Sequence, residues 1–154
     1  MEFAASIFVL CFGLSAVTAA GLPFVGHYVS TGQRFNTAAF AAATGFDDPP
    51  VENRLHNEFL DQGNGEYLYK FRVENAAYKQ ELPFKLGETR KSTYNGTEFS
   101  YKFTVDGELL KFESKILPDG REVTHTYYPN ADGFVKQFQL KDVIAKVWFK
   151  KDSA

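Results

Sequence analysis

The residues that could do chemistry are few and scattered along the chain. The three histidines, His27, His56 and His125, fall on three different predicted strands, with no H-x-x-x-H spacing. A zinc or catalytic centre needs ligands that converge, so this scatter favours surface or wall positions over a metal site. No G-x-S-x-G motif marks a nucleophilic serine. The sequence therefore predicts a protein that is not an enzyme and that uses no cofactor and no metal.

Asn95-Gly96-Thr97 carries two signals at once. Asn-Gly accepts the positive φ that a tight hairpin turn requires. The same three residues form the only N-x-[ST] acceptor for N-glycosylation in the chain. A turn tip is accessible, so we expect Asn95 to be glycosylated if the chain is secreted, with a plain turn as the alternative.

The first residues have the composition of a secretory signal peptide. Residues 3–20 carry no charge, have an apolar centre at 7–14 and end in small residues. Val17 and Ala19 suit the −3 and −1 positions, which predicts cleavage after Ala19 or one residue later. A membrane anchor is the alternative, but the run is near the lower limit of spanning length and no basic cluster follows. We expect a signal peptide at 1–19, one secreted domain at 20–154, and no stable membrane insertion after cleavage.

Composition narrows the class of the remaining chain. Lys+Arg is 17 and Asp+Glu is 19, a near balance that argues against nucleic-acid binding. The 16 Phe and 8 Tyr supply enough apolar surface to exclude intrinsic disorder. Cleavage of the signal peptide would remove Cys11 and Met1, the only sulfur-containing residues, so the mature domain would fold without disulfides.

The elements that would position these residues are mostly strands. Aromatic residues alternate with polar ones, as in Tyr67, Tyr69 and Phe71, and such period-two alternation is typical of half-buried strands. Turn signals separate the runs: Gly63-Asn64-Gly65, Asn95-Gly96, Asp106-Gly107, Pro118-Asp119-Gly120 and Ala131-Asp132-Gly133. Repeated hairpins at this spacing predict an antiparallel up-and-down sheet.

The turn spacing predicts ten strands, and a sheet of that size removes its exposed edges by closing into a barrel. The predicted ranges are 24–31, 54–60, 66–73, 78–86, 89–94, 97–104, 108–116, 121–128, 134–140 and 143–149. The fold class is therefore all-β, a ten-stranded antiparallel up-and-down β-barrel.

Two short helices are predicted between the first and second strands. Residues 36–43 are alanine-rich, with Asn36 as a capping residue and Gly45 after the end. Asp47-Asp48-Pro49-Pro50 has the acids and prolines of a second helix start. A helix pair at this place would form a lid over one mouth of the barrel.

This arrangement resembles the fatty-acid-binding fold of intracellular lipid-binding proteins. The opening Phe24-Val25-Gly26-His27-Tyr28 is similar to that family's Phe-Val-Gly-x-Trp start. The signal peptide, Asn95-Gly96-Thr97-Glu98 and the tail at 142–151 together are similar to the tardigrade secretory-abundant heat-soluble proteins. That resemblance implies secretion and a protective role during drying.

The fatty-acid-binding resemblance also implies where a ligand would bind. Proteins of that kind fix a carboxylate with an Arg-x-Tyr pair on the last strand and an inward arginine two strands earlier. The matching positions here are Val147 and Phe149, and Tyr127 or Tyr128, none of them cationic. These four residues are the candidate ligand-binding residues of the barrel interior, although weak fatty-acid binding is expected. Interior packing is the alternative for Val147 and Phe149.

Two functions follow. The first is a non-enzymatic molecular shield under desiccation, which makes non-specific contacts with drying macromolecules. The alternative is a secreted carrier of a fatty acid or another small hydrophobic ligand. Secretion and the missing carboxylate donors favour the shield, whereas the barrel and its lid support the carrier.

Overall fold

Alternating aromatic and polar residues form ten antiparallel strands in the computed structural model, which describes residues 21–153. The predicted signal peptide at 1–19 lies outside the described residues. The strands are β1 (Gly26–Phe35), β2 (Leu55–Gly63), β3 (Glu66–Val73), β4 (Lys79–Lys85), β5 (Arg90–Tyr94), β6 (Thr97–Asp106), β7 (Leu109–Ile116), β8 (Glu122–Pro129), β9 (Gly133–Leu140) and β10 (Val143–Lys151).

Strand pairing confirms the predicted up-and-down barrel. Each strand pairs with its neighbour in sequence except β4 with β5, and β1 pairs with β10, so the sheet is nearly closed, with β4 and β5 at its two ends. Side chains span the opening. Arg90 on β5 donates to Glu66 on β3 with Nη2 and Oε1 2.8 Å apart, and the Tyr101 hydroxyl donates to the Pro83 carbonyl at 2.6 Å.

The strand boundaries match the prediction to within a few residues, apart from the end of β1. The strand was expected to end at 31, before Gly32, but it continues to Phe35. Gly32 has φ 95°, and the register with β10 shifts between Ser30 and Arg34. The glycine is therefore part of a β-bulge that bends the strand and does not end it.

Aromatic rings fill one end of the barrel. They belong to inward positions of neighbouring strands and stack closely, with 4.0 Å between the ring centroids of Phe84 and Phe103 and 5.0 Å between those of Phe134 and Phe149. Phe59 is also fully buried there. We call this layer the aromatic floor and define it by Phe59, Phe84, Phe103, Phe134 and Phe149.

The lid is one helix, so the prediction of a helix pair is wrong. Helix α1 (Thr37–Thr44) ends at Gly45, which has φ 76° and whose N–H donates to the Ala41 carbonyl. Asn36 precedes the helix but forms no side-chain cap, because its amide donates instead to the Ile144 carbonyl at 2.9 Å.

Arg34 explains why no second helix forms. Its guanidinium binds the Asp48 carboxylate and the backbone carbonyls of Pro49 and Pro50. The two prolines supply no backbone N–H, and the carbonyls that a helix would use are already taken. The segment after α1 is therefore a loop held against β1. Within residues 21–153, no helix has the length and apolar character needed to cross a membrane.

The tight approach of β9 to β10 gives a test of the barrel. A Cβ added at Gly133 would lie 2.5 Å from the Phe149 carbonyl oxygen and 3.0 Å from the Lys150 Cα. Gly133→Ala should therefore lower the free energy of unfolding by about 1–3 kcal/mol, the usual cost of overpacking. Urea unfolding measures this loss. Gly21→Ala is the control, since no atom lies within 4 Å of its added Cβ. Equal stability of the two variants would contradict the pairing.

Candidate functional site

A cavity of about 510 Å³ lies between helix α1 and the aromatic floor. This volume is within the range of small-molecule sites. Most of its wall is apolar or aromatic. Its mouth is bordered by exposed residues from three segments, namely the loop after α1 at Phe46, the β3–β4 turn at Ala76 and the β5–β6 turn at Asn95. The site is thus an apolar chamber that opens beside the single-helix lid.

Lys136 is the cationic side chain at the bottom of this chamber. The residue is only 2% exposed. Its Nζ donates to the Tyr69 hydroxyl at 3.0 Å and to Asn57 Oδ1 at 3.4 Å, and the Tyr69 hydroxyl donates to the same Oδ1 at 2.7 Å. Among residues 21–153, Lys136 has no salt-bridge partner. The amine is therefore held by neutral oxygens alone.

Aromatic faces complete the surroundings of this amine. Its Nζ lies 5.0–5.5 Å from the ring centroids of Tyr69, Phe71, Tyr127 and Phe138. Ring faces attract a cation, which offsets part of the cost of burying the ammonium. The cost of desolvating the ammonium is larger than this attraction, so burial lowers the pKa of Lys136 to about 7. The amine is therefore partly uncharged at neutral pH.

His125 is another buried titratable group that lines the chamber. Its ring packs on Phe112 and Phe138, with centroid distances of 5.0 and 4.7 Å. Burial, and secondarily the charge of Lys136, holds the pKa of His125 well below its usual range. The imidazole is therefore neutral at physiological pH and does not add a second cation beside Lys136.

The predicted ligand residues divide into three groups. Tyr127 on β8 and Val147 on β10 are the register partners of Lys136, one on either side of it. Phe149 lies deeper, in the aromatic floor. Tyr128 is 38% exposed on the outer face, so its assignment to the barrel interior is wrong. Successive strand side chains point to opposite faces, and only one of two adjacent tyrosines can face inward.

Tyr127 adds a buried polar atom to the chamber floor. The residue has no exposed surface, and among the described residues its hydroxyl makes no well-formed hydrogen bond. It lies beside the Tyr69 hydroxyl, and burial is the main reason that the pKa of Tyr127 is raised above its usual range. The bottom of the chamber thus contains four buried polar side chains, namely Tyr69, Tyr127, Asn57 and Lys136.

Two of the three histidines come together, although the sequence shows no motif. Strand pairing places His27 Nε2 2.8 Å from His56 Nδ1, and His56 Nε2 lies 2.8 Å from Glu74 Oε1. The pair stacks on the outer wall, away from the chamber. Across residues 21–153, no group of three or more His, Cys, Asp or Glu side chains has the geometry to hold a metal ion.

Lys136 is the residue that the sequence reasoning missed. The signal was present on β9, where Phe134, Lys136, Phe138 and Leu140 occupy every second position. A lysine in the apolar phase of a strand points inward with its neighbours. Asn95 lies as predicted at a turn tip, with φ 45°, and its glycosylation stays a prediction.

Comparisons with known proteins identify related chains. Secretory-abundant heat soluble protein 1 of Ramazzottius varieornatus is 33% identical over 139 residues, which cover 87% of this chain and 80% of that protein. The crystal structure of a secretory-abundant heat-soluble protein from the same organism matches with TM-score 0.78 and 31% identity, covering 86% of this chain and 97% of the other.

The fold is shared more widely. A Schistosoma mansoni fatty acid binding protein in complex with arachidonic acid superposes with TM-score 0.72 at 14% identity, covering 85% of this chain and 97% of that one. This likeness shows the barrel architecture. No protein-family model matches the chain.

The buried amine predicts how stability depends on pH. The pKa of Lys136 falls from its ordinary 10.5 to about 7 on folding, so the unfolded chain binds more protons between those values. The free energy of unfolding should therefore rise with pH above about 7, by at most about 1.4 kcal/mol per pH unit. Lys136→Met should flatten this rise in urea unfolding at pH 7, 8 and 9, while Lys146→Met should not. Parallel curves for wild type and Lys136→Met would contradict a depressed pKa.

Proposed function

The chain belongs to the secretory-abundant heat-soluble protein family, and on that basis we propose that it is a secreted, non-enzymatic shield that protects other macromolecules as water is lost. Family membership is the observation that carries the proposal. The family name itself describes proteins that are secreted in abundance and stay soluble on heating. The shield role adds a physical mechanism, for which the outer surface and the topology give support.

The outer surface supports shielding because its charges are mixed and paired. Lysines face carboxylates on neighbouring strands, as in Lys91–Glu98 and Lys102–Glu113, both 3.7 Å apart. These pairs are exposed, and each contributes little to stability. They nevertheless offer many charged hydrogen-bonding groups to a drying partner. An excess of such barrels would keep other macromolecules apart.

Heat solubility is consistent with the topology. Eight of the nine consecutive strand pairs are hydrogen-bonded, and seven of these are hairpins, the exception being β1–β2, which helix α1 separates. The β1–β10 pairing joins the first and last strands. Neighbouring contacts form early, which favours reversible refolding. Residues 21–153 contain no cysteine or methionine, so sulfur oxidation and disulfide exchange cannot trap the unfolded domain.

A second candidate function is transport of a hydrophobic anion, and Lys136 is the observation that favours it. The Arg-x-Tyr pair with which fatty-acid-binding proteins hold a carboxylate is replaced here by Val147 and Phe149. Lys136 on β9 is nevertheless the register partner of Val147 on β10 and offers a cation at a neighbouring position. A fatty carboxylate in the chamber would pair with the ammonium and draw a proton to it. The occupant would be a fatty acid or a similar small hydrophobic ligand.

The shield proposal predicts that drying protection does not require the cavity. Val73→Phe with Ser114→Phe would fill the chamber from β3 and β7, and Thr93→Phe with Thr104→Phe adds the same rings to the outer face. A labile enzyme is dried with each protein and assayed after rehydration. We expect wild type and the cavity-filled variant to protect equally, and both better than an equal mass of ordinary globular protein.

Two outcomes of the drying assay would contradict the shield. Protection that vanishes in the cavity-filled variant but persists in the outer-face variant points to a bound ligand. Protection no better than that of the ordinary globular protein removes the protectant role. Thermal unfolding of both variants checks that each barrel is folded before drying.

The carrier alternative predicts a role for one amine. Lys136→Met should weaken binding of a fluorescent long-chain fatty acid by about tenfold to a hundredfold, since a charge-assisted hydrogen bond contributes roughly 1.5–3 kcal/mol. Lys146→Met, on the outer face of β10, is the matched control. Displacement titration gives both affinities. Equal affinities in the two variants would exclude Lys136 as the carboxylate partner.

Secretion and modification are tested together by expression of the full chain in a eukaryotic secretory host. The medium should contain a protein that begins at Ala20 or Gly21 and carries one N-glycan on Asn95. Intact mass before and after treatment with a glycan-removing amidase measures both features. Thr97→Ala should give the mass of the unglycosylated protein directly. A product that keeps Met1 contradicts signal cleavage, and an unchanged mass after the amidase leaves the sequon as a turn only.

A further inference from the structure

The chamber holds an amine whose hydrogen bonds suit its neutral form. Lys136 Nζ has two oxygen acceptors, the Tyr69 hydroxyl and Asn57 Oδ1. A neutral amine has two N–H groups and one lone pair. These two oxygens use both N–H groups of that form, which leaves the lone pair as the remaining position on a nitrogen whose residue lines the chamber. An ammonium would instead direct its third N–H at ring faces.

The groups around the amine leave it without a fixed counter-charge. Facing it are Tyr69 from β3, Tyr127 and His125 from β8, and Val147 from β10. The two phenols and the imidazole are neutral near pH 7, because burial disfavours their charged forms. No carboxylate of residues 21–153 pairs with Lys136. Protonation of the amine is therefore opposed by desolvation alone, which lowers its pKa to about 7.

This environment is the one that turns a lysine into a nucleophile. A lysine amine attacks carbonyl compounds only when uncharged, and an apolar pocket is a recognised way to keep it uncharged. The chamber also selects for a partner, because its wall favours an alkyl chain and its bottom presents the amine. The ligand class that meets both conditions is an apolar aldehyde.

We propose that Lys136 captures long-chain apolar aldehydes as a covalent imine inside the barrel. The nitrogen lone pair forms a C–N bond while the carbonyl π pair moves to oxygen. A proton released by nitrogen then neutralises that oxygen and gives a carbinolamine. The C–O bond breaks next, the oxygen leaves as water with the second nitrogen proton, and C=N forms. No oxidant or reductant takes part, and the Tyr69 hydroxyl, 3.0 Å from Nζ, is placed to relay the protons.

This inference rests on the chamber and not on the shielding role. Surface lysines are poor competitors, because an ordinary lysine amine is charged at neutral pH. Exposed amines such as Lys91 and Lys102 also sit beside carboxylates. The reaction is also distinct from carboxylate binding, which requires the ammonium. An aldehyde and a fatty acid would occupy the same chamber with opposite protonation states of Lys136.

The test uses dodecanal as the probe, with sodium cyanoborohydride to reduce any imine to a stable amine. The protein is treated at pH 7, and intact mass and peptide mapping count and place the adducts. We expect one dodecyl group, on Lys136, formed at least about tenfold faster than on the average surface lysine. Lys136→Arg keeps a cation but removes the nucleophile and should abolish this adduct, whereas Lys146→Arg should retain it. Glycolaldehyde, which is small and polar, should label surface lysines instead.

The pH dependence of labelling tests the proposal on the unaltered protein. From pH 7 to pH 9 the ratio of the labelling rate at Lys136 to the rates at surface lysines should fall. An amine with a pKa of about 7 is almost fully uncharged over this range, whereas the uncharged fraction of an ordinary lysine still grows. Circular dichroism checks that Lys136→Arg remains folded. The proposal is overturned if dodecanal spreads over surface lysines as glycolaldehyde does. It is also overturned if labelling of Lys136 follows the pH profile of the surface amines.

Discussion

The buried amine of Lys136, which no anion of the described chain compensates, is the constraint on which the interior depends. Asn57 and Tyr69 supply its two hydrogen-bond acceptors, and their own side chains are fixed by that task. This arrangement leaves Nδ2 of the Asn57 amide buried without a hydrogen-bond partner among residues 21–153, which is energetically unfavourable. Polar atoms this deep are costly unless they are hydrogen-bonded, so packing alone does not account for this group of side chains.

Packing at the two ends of the barrel stabilises the fold around this buried polar group. Stacked rings fill the end below Lys136, and they supply the packing that disulfides provide in many small secreted domains. Above the amine, helix α1 packs through Phe40 against Val123, Leu140 and Ala145. Stability is thus concentrated in the floor and the lid contact, and the space between them is left open.

Local signals in the sequence were sufficient to predict the strands. Features that depend on contacts between distant residues could not be predicted from such signals. Alternation and Asn-Gly or Asp-Gly turns depend on neighbours and predicted all ten strands. The prediction of a second helix failed because Arg34, fifteen and sixteen residues earlier, binds the carbonyls of Pro49 and Pro50. The meeting of His27 with His56 follows from strand register, which no spacing rule reveals. Lys136 lies in the apolar phase of β9, whereas the fatty-acid-binding resemblance implies Val147 and Phe149 as the ligand positions.

The charge state of one side chain decides between an anion site and a neutral nucleophile. Direct titration of Lys136 by NMR, with ¹³C-labelled lysine and assignment through Lys136→Arg, follows its Cε and Nζ shifts from pH 5 to 11. We predict a midpoint near 7 for Lys136, well below the ordinary value for a lysine side chain. A midpoint for Lys136 above 9 would mean that the amine is charged throughout the physiological range, and it would contradict the account.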